Sequence, residues 1–228
     1  MIVAIHQPQY MAWSGYFHKM DTADAFVFLD TVQYKKNEYQ NRNLIKGPQG
    51  PQWLTVPVLS RFGQAIREVQ INEAVTWRKK HFSALVSCYG KAPFFKRYIG
   101  DFEELLDGFR GGLSELNIAA SRLIARHLGI RTVLTVASDL PRVDDGRDRR
   151  LVEIVRLLGG DTYLSGSGGR EYIDEDVFRE GQLRLVYQDF RAPVYPQLFG
   201  AFEPNLSIID LIFNVGHKTI DYLRGTVK

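Results

Sequence analysis

The sequence predicts an α/β fold with a mainly parallel, Rossmann-like central sheet and a helical insertion or cap. Three observations carry that expectation. Residues 2–5, Ile-Val-Ala-Ile, form an apolar, largely β-branched run of the kind buried on both faces of a parallel sheet, and a polar turn and a helix start follow at once. A second strand-like run covers 24–30, and the alternation of strand and helix returns over 131–166. A chain of 228 residues can bury a full core as a single domain, and its one cysteine, Cys88, excludes an internal disulfide framework.

The first strand ends at His6, and Gln7, Pro8, Gln9 and Tyr10 continue as a turn because Pro8 cannot stay in a central ladder. A histidine, two amides and a phenol at a strand tip suit a polar ligand, since ligands of open α/β sheets bind beyond the carboxyl ends of the strands. Trp13, Ser14 and Gly15 lead into a first helix. The next strand ends in Asp30, which a parallel crossover places beside His6. Residues 31–52 read as a long polar loop, in which Asn41, Arg42 and Asn43 offer a guanidinium fork between two carboxamides.

Residues 53–58 and 64–71 read as strands, the first with Pro57 hinting at an edge. Helical spacing then runs from about 76 to 128, with Arg78, Lys79, Lys80 and His81 in a first turn where a bound anion would offset the unfavourable macrodipole. Residues 131–140 are a strand with Ser138 or Asp139 at its tip, 143–148 a turn, and 149–160 an amphipathic helix closed by glycines. The stretch 162–174 passes from strand into a loop, Ser165-Gly166-Ser167-Gly168-Gly169-Arg170, whose backbone N–H groups suit an oxyanion although it is neither a P-loop nor a dinucleotide fingerprint. A last strand over 184–190, an aromatic loop over 195–205 and one closing helix over 206–224 complete the chain. In that helix Asp210 and Asn214 share a face.

The net charge is +3, yet the first 100 residues carry 13 bases against six acids and the other 128 carry 16 against 20. This polarity points to a phosphate-bearing partner met by the N-terminal half, through Lys35, Lys36, Arg78, Lys79 and Lys80. No GxSxG elbow, HExxH helix, Walker lysine or kinase motif occurs, and the five histidines are scattered, so no metal and no cofactor are expected. Cys88 lies in an apolar helical pattern and reads as packing. No apolar stretch approaches 18 residues and the opening is not leader-like, so a cytoplasmic protein with no membrane partner is expected.

HQPQYMAWSGYFHK at the start, FVFLD followed by QNRN, WLTVPV, YLSGSGGREYID and FEPNLSIIDLIFNVG, in that order, resemble the WbqC-like protein family over nearly the whole chain. Ala12 stands where the family pattern has a proline, which loosens the turn but leaves His6, Gln7 and Tyr10 in place. Members occur in polysaccharide clusters and are held to be glycine transferases, and phage relatives are similar to amino acid:DNA transferases acting on an activated 5-hydroxymethyl pyrimidine. The resemblance implies a transferase, in a bacterial cell or a phage-infected host, that joins an amino acid, most simply glycine, to an activated acceptor in DNA without ATP. Alternatives are glycyl transfer to an amino sugar on a nucleotide or lipid carrier, as in O-antigen biosynthesis, and a non-catalytic module that binds a sugar nucleotide or DNA.

On this reading His6 is the base, Asp30 partners His6 or the incoming ammonium, and Arg42, Lys46 and Arg170 hold the departing anion. Gln7, Tyr10, Asn41, Asn43, Ser165, Gly166 and Tyr172 surround the substrates, with Asp210 and Asn214 beneath, and all are expected in one cleft. A remoter likeness to nucleotidyltransferase folds with a HxGH turn bears on fold alone, because the second histidine is missing.

Overall fold

The computed structural model describes residues 1–143 and 146–227, so Asp144 and Asp145 of the turn expected over 143–148 lie outside the described residues. Along the chain, β1 (Ile2–His6), α1 (Ser14–Thr22) and β2 (Ala25–Phe28) form the first unit. An antiparallel hairpin of β3 (Arg42–Gly47) and β4 (Gly50–Thr55), a short pair of β5 (Val58–Leu59) and β6 (Gln70–Ile71), and the helices α2 (Trp77–Tyr89), α3 (Phe95–Gly108) and α4 (Leu113–Leu128) intervene before β7 (Val133–Val136). Then come α5 (Arg147–Leu157), β8 (Thr162–Ser165), α6 (Glu175–Glu180) and β9 (Arg184–Tyr187), and the chain closes with α7 (Ile208–Val215) and α8 (Thr219–Leu223). The central sheet has five strands in the order β7-β2-β1-β8-β9, parallel throughout, as the Rossmann-like expectation requires.

Both faces of the sheet are covered, which is why β1 can be apolar without alternation. Ala4, Phe26, Phe28 and Leu164 pack in one core with α1, the three inserted helices and α7. Val3, Ile5, Val27 and Tyr163 face the other way, onto Leu151, Val155 and Phe178 of α5 and α6.

Three stretches depart from the sequence reading. Residues 42–52, expected in the loop, instead form a hairpin with the expected strand start at Trp53–Thr55: Ile45 and Leu54 enter the core, and Gln40, Asn41, Asn43 and Lys46 are buried as well. Their polarity is tolerated because each finds a hydrogen-bond partner. Of residues 64–71 only Gln70–Ile71 is strand; Ile66–Glu68 is a 3₁₀ turn, closed by the Gln64 amide on the Glu68 carbonyl (2.7 Å) and by the Glu68 carboxylate on the Ala65 N–H (3.2 Å). The closing helix breaks at Gly216, whose φ of +62° and contact with the Phe94 ring, 2.3 Å from where a Cβ would stand, admit no other residue without strain.

From β1 the chain builds outward to β2 and β7 on one side, and later to β8 and β9 on the other. The strand order therefore reverses between β1 and β8, and the carboxyl ends of those two strands carry His6 and Ser165.

Candidate functional site

A pocket of about 600 Å³ opens at this reversal, between the turn after β1, the loop after β8, and the starts of α1 and α5. His6, at its base, has Nδ1 3.1 Å from the Gln7 carbonyl, so Nδ1 carries the proton and donates while Nε2 is left as an acceptor. Burial, and then the charge of Lys19, push the imidazole pKa down to about 3 against the opposing pull of the Gln7 bond, so His6 is neutral at physiological pH.

Lys19 comes from α1, on the face that Tyr16 and Met20 bury against the sheet. It is 3% exposed, its Nζ donates to the Ile5 carbonyl at 2.8 Å, and it lines the same pocket. Burial lowers its pKa to about 7, and no salt bridge to a carboxylate is found for it among the described residues.

The turn after β1 is braced from outside. Met11 adopts φ +42°, a strained value for a non-glycine residue, and its carbonyl accepts from Asn43 Nδ2 (2.9 Å) and Ser207 Oγ (2.6 Å). Asn117 of α4 donates to the Pro8 carbonyl (3.3 Å) and to the Gln40 carbonyl (2.7 Å), while Gln40 Nε2 donates to Gln7 Oε1 (2.6 Å). The inserted hairpin and helices thus hold Gln7 and the turn in register over the pocket.

Ser165, Gly166, Ser167, Gly168 and Gly169 line the pocket together with Arg147 and Tyr172. Gly169 leaves room for Ser165, whose Oγ would stand 2.1 Å from a Cβ there, whereas Gly168 has open space around it. Gly169→Ala is therefore expected to displace Ser165 and weaken binding of pyrophosphate, used as a probe anion, by about fivefold or more, with Gly168→Ala neutral, since a forced contact of this kind costs about 1–3 kcal/mol. Isothermal titration of the two variants with pyrophosphate checks this; equal affinities would show that the loop does not shape the pocket.

Of the residues expected to converge, His6, Gln7, Ser165, Gly166 and Tyr172 line this pocket, and Lys35, expected outside the cleft as a nucleic-acid contact, lines it too. Asp30 does not meet His6: its carboxylate accepts from the N–H (3.0 Å) and Oγ (2.7 Å) of Ser138, tying the tips of β2 and β7. Tyr10 turns into the core, where its hydroxyl bonds His81 Nδ1 at 2.9 Å, because an apolar ring with one polar tip is cheaper buried with a partner than exposed. The Arg42 guanidinium lies 4.1 Å over the Trp53 ring and donates to the Asn37 carbonyl, and Asn41 Nδ2 donates to the Val56 carbonyl (3.0 Å). Lys46 donates to Gln197 Oε1 (3.1 Å) and the Ala201 carbonyl, pinning the aromatic loop to the hairpin.

Arg170 stacks on Tyr187 at 4.3 Å. Asp210 is fully buried and accepts from the hydroxyls of Tyr89 (2.9 Å) and Tyr195 (2.8 Å), and Asn214 Nδ2 donates to the Asp210 carbonyl (2.8 Å). This network ties α7 and the aromatic loop to the inserted α2 and does not line the pocket. The anion expected at the start of α2 is internal, since Arg78 is paired with Glu73. Lys79 and Lys80 are exposed on that helix, and Lys36 is exposed beside Lys35.

The sequence reading missed Lys19, Arg147 and Arg150, all of which line the pocket. The available signals were weak: Lys19 is three residues after Tyr16 on a buried helical face, and the two arginines are three apart at the start of α5.

Among the described residues no helix is long and apolar enough to cross a membrane, and no cluster of three or more His, Cys, Asp or Glu could hold a metal ion. The profile described as the WbqC-like protein family matches residues 7–222. Over 226 residues, 97% of each chain, the sequence is 40% identical to a protein of Mycobacterium tuberculosis (strain ATCC 25618 / H37Rv) named "Uncharacterized protein Rv1507c". No solved structure matches the chain at a significant level.

Proposed function

The chain belongs to the WbqC-like protein family, and from that premise we propose that it is a transferase joining the amine of an amino acid, most simply glycine, to an acceptor activated by a phosphate or pyrophosphate. The observation that carries this reading is the pairing, in one pocket, of nitrogen bases with cations: His6 and Lys19 line it together with Lys35, Arg147 and the Ser165–Gly169 loop. Amine transfer needs both. The amine must lose a proton before it can attack carbon, and the phosphate leaving from that carbon needs positive charge and N–H donors around it. No ATP and no cofactor enter such a step.

A pocket of this volume takes one nucleotide-sized unit. Gln7 and Lys35 also border a smaller recess with Tyr39 and Gln40; the exposed Tyr39 and Trp53 rings are 6.0 Å apart, and the Arg42 guanidinium lies over Trp53. Stacking surfaces flanked by Lys35 and Lys36 favour an acceptor in DNA, a 5-hydroxymethyl pyrimidine bearing pyrophosphate, extruded from its stack to reach the pocket. The second reading, transfer to an amino sugar on a nucleotide or lipid carrier, is favoured by the modest volume of the pocket itself.

The test offers glycine with the pyrophosphorylated DNA, and an activated glycyl thioester with the amino sugar because amide formation needs a leaving group on the glycyl carbon; it follows the aminoalkylated or aminoacylated product by mass spectrometry and, for DNA, the released phosphate by colorimetry. Product on DNA, binding that falls with salt at a log–log slope of about −0.9 per contacted phosphate, and a loss of about 100-fold or more in kcat/KM for Arg147→Ala are expected. Product on the amino sugar alone moves the acceptor to sugar chemistry. Ligand binding without product on any acceptor leaves a binding module.

A further inference from the structure

We propose that Lys19, rather than His6, is the catalytic base that takes the proton from the attacking ammonium; this rests on the transfer reading above. Lys19 is sealed in the wall of the pocket, between the Ile5 carbonyl and the Tyr163 ring, whose centroid is 5.9 Å from Nζ. Its bond to Ile5 uses one N–H, so a neutral amine keeps its lone pair available to the pocket. A charged lysine so buried needs a carboxylate, and no such salt bridge is present among the described residues. Burial accordingly brings its pKa to about 7, close to the pH at which a general base works best, while the imidazole at about 3 is too weakly basic to hold a proton from an ammonium.

The step balances as follows in atoms and charge. Lys19 Nζ accepts one proton from the –NH3⁺ of the amino acid, and the freed lone pair forms the C–N bond to the hydroxymethyl carbon. The C–O bond breaks, and its electron pair leaves with the phosphate. Lys19 is then cationic beside the newly separated anion, so the same nitrogen that is neutral when it must accept a proton is positive when the leaving group needs a counter-charge. His6 becomes a positioning residue, its Nε2 accepting a second N–H of the amine and aiming the lone pair.

Two measurements test this. Pyridoxal 5′-phosphate with borohydride, an aldehyde probe that carries a phosphate, is expected to label Lys19 with a rate inflecting near pH 7, with protection by pyrophosphate. Lys19 left unlabelled, or labelled only as pH rises toward 10, would overturn the proposal. In turnover, Lys19→Arg keeps the charge but cannot release it, and about 100-fold loss of kcat at neutral pH is expected. Lys19→Met, with folding checked by circular dichroism, is expected to abolish the rise of kcat with pH through about 7, and His6→Asn to retain it. The opposite pattern would make His6 the base. If the wild type transfers nothing to any acceptor, the transfer reading and the role of base fall together, and labelling at Lys19 shows that the fault lies in the reaction and not in the amine.

Discussion

Lowering the pH from about 6.5 to 4.5 is expected to remove up to roughly 5 kcal/mol of folding stability, as much as many domains possess. The cause is two histidines held neutral in the fold. Burial pushes His81 down to about 4, against the bond to the Thr55 carbonyl, and pushes His6 to about 3, whereas both titrate near 6.5 in the unfolded chain. Below 6.5 the unfolded chain therefore takes up protons that the folded chain refuses. Stability from these groups is complete above pH 6.5 and is lost as pH falls, by up to about 1.4 kcal/mol per pH unit for each histidine. His81 Nε2–H donates to Thr55 (3.1 Å) and Nδ1 accepts from Tyr10 (2.9 Å), an arrangement that fits the neutral ring. Urea denaturation at pH 7.5, 6.0, 5.0 and 4.5 measures the slope. In His81→Gln it should be shallower by about one proton; parallel slopes in the two proteins would show that His81 is not held neutral.

Asp210→Ala is expected to cost about 3–5 kcal/mol, because it strips a buried set of donors of their shared acceptor. The hydroxyls of Tyr89 and Tyr195 both point at this carboxylate, and Tyr89 Oη in turn accepts from the Lys46 N–H at 2.9 Å. Burial raises the pKa of the Asp210 carboxyl against the pull of the two tyrosines, so the site tolerates an uncharged acceptor. Asp210→Asn should then lose much less than Asp210→Ala. For a chain of this size the alanine variant should melt about 6–20 °C lower, measured by calorimetry. Pyrophosphate affinity of the asparagine variant at 25 °C should be unchanged, since no part of the network lines the pocket; a weakened affinity would put Asp210 back at the site.

These effects show where local sequence information ends. The run Ile2–Ile5 by itself determined that β1 is covered on both faces, and the polar residues after it pointed to an opening at its tip; the His6 and Ser165 strand ends do border a pocket. The repeated strand and helix pattern determined a parallel α/β sheet. Neither result needs knowledge of distant contacts, because periodicity is written in neighbours two to four residues apart.

Partnership is not written that way. A polar residue announces only that it requires a partner or water, and Asp210 finds its partner Tyr89 at 121 residues' separation, Lys46 finds Gln197 at 151, and Asp30 finds Ser138 at 108. Tertiary packing thus drew Asp30, Tyr10, Arg42, Lys46 and Asp210 into structural bonds, although their positions near strand ends and loops suggested a common cleft. It also made Lys19 a pocket residue. Lysine is mostly solvated, and only the docking of α1 on the sheet, with Tyr16 and Met20 buried beside it, takes this one out of water and leaves it a backbone carbonyl in place of a counter-ion.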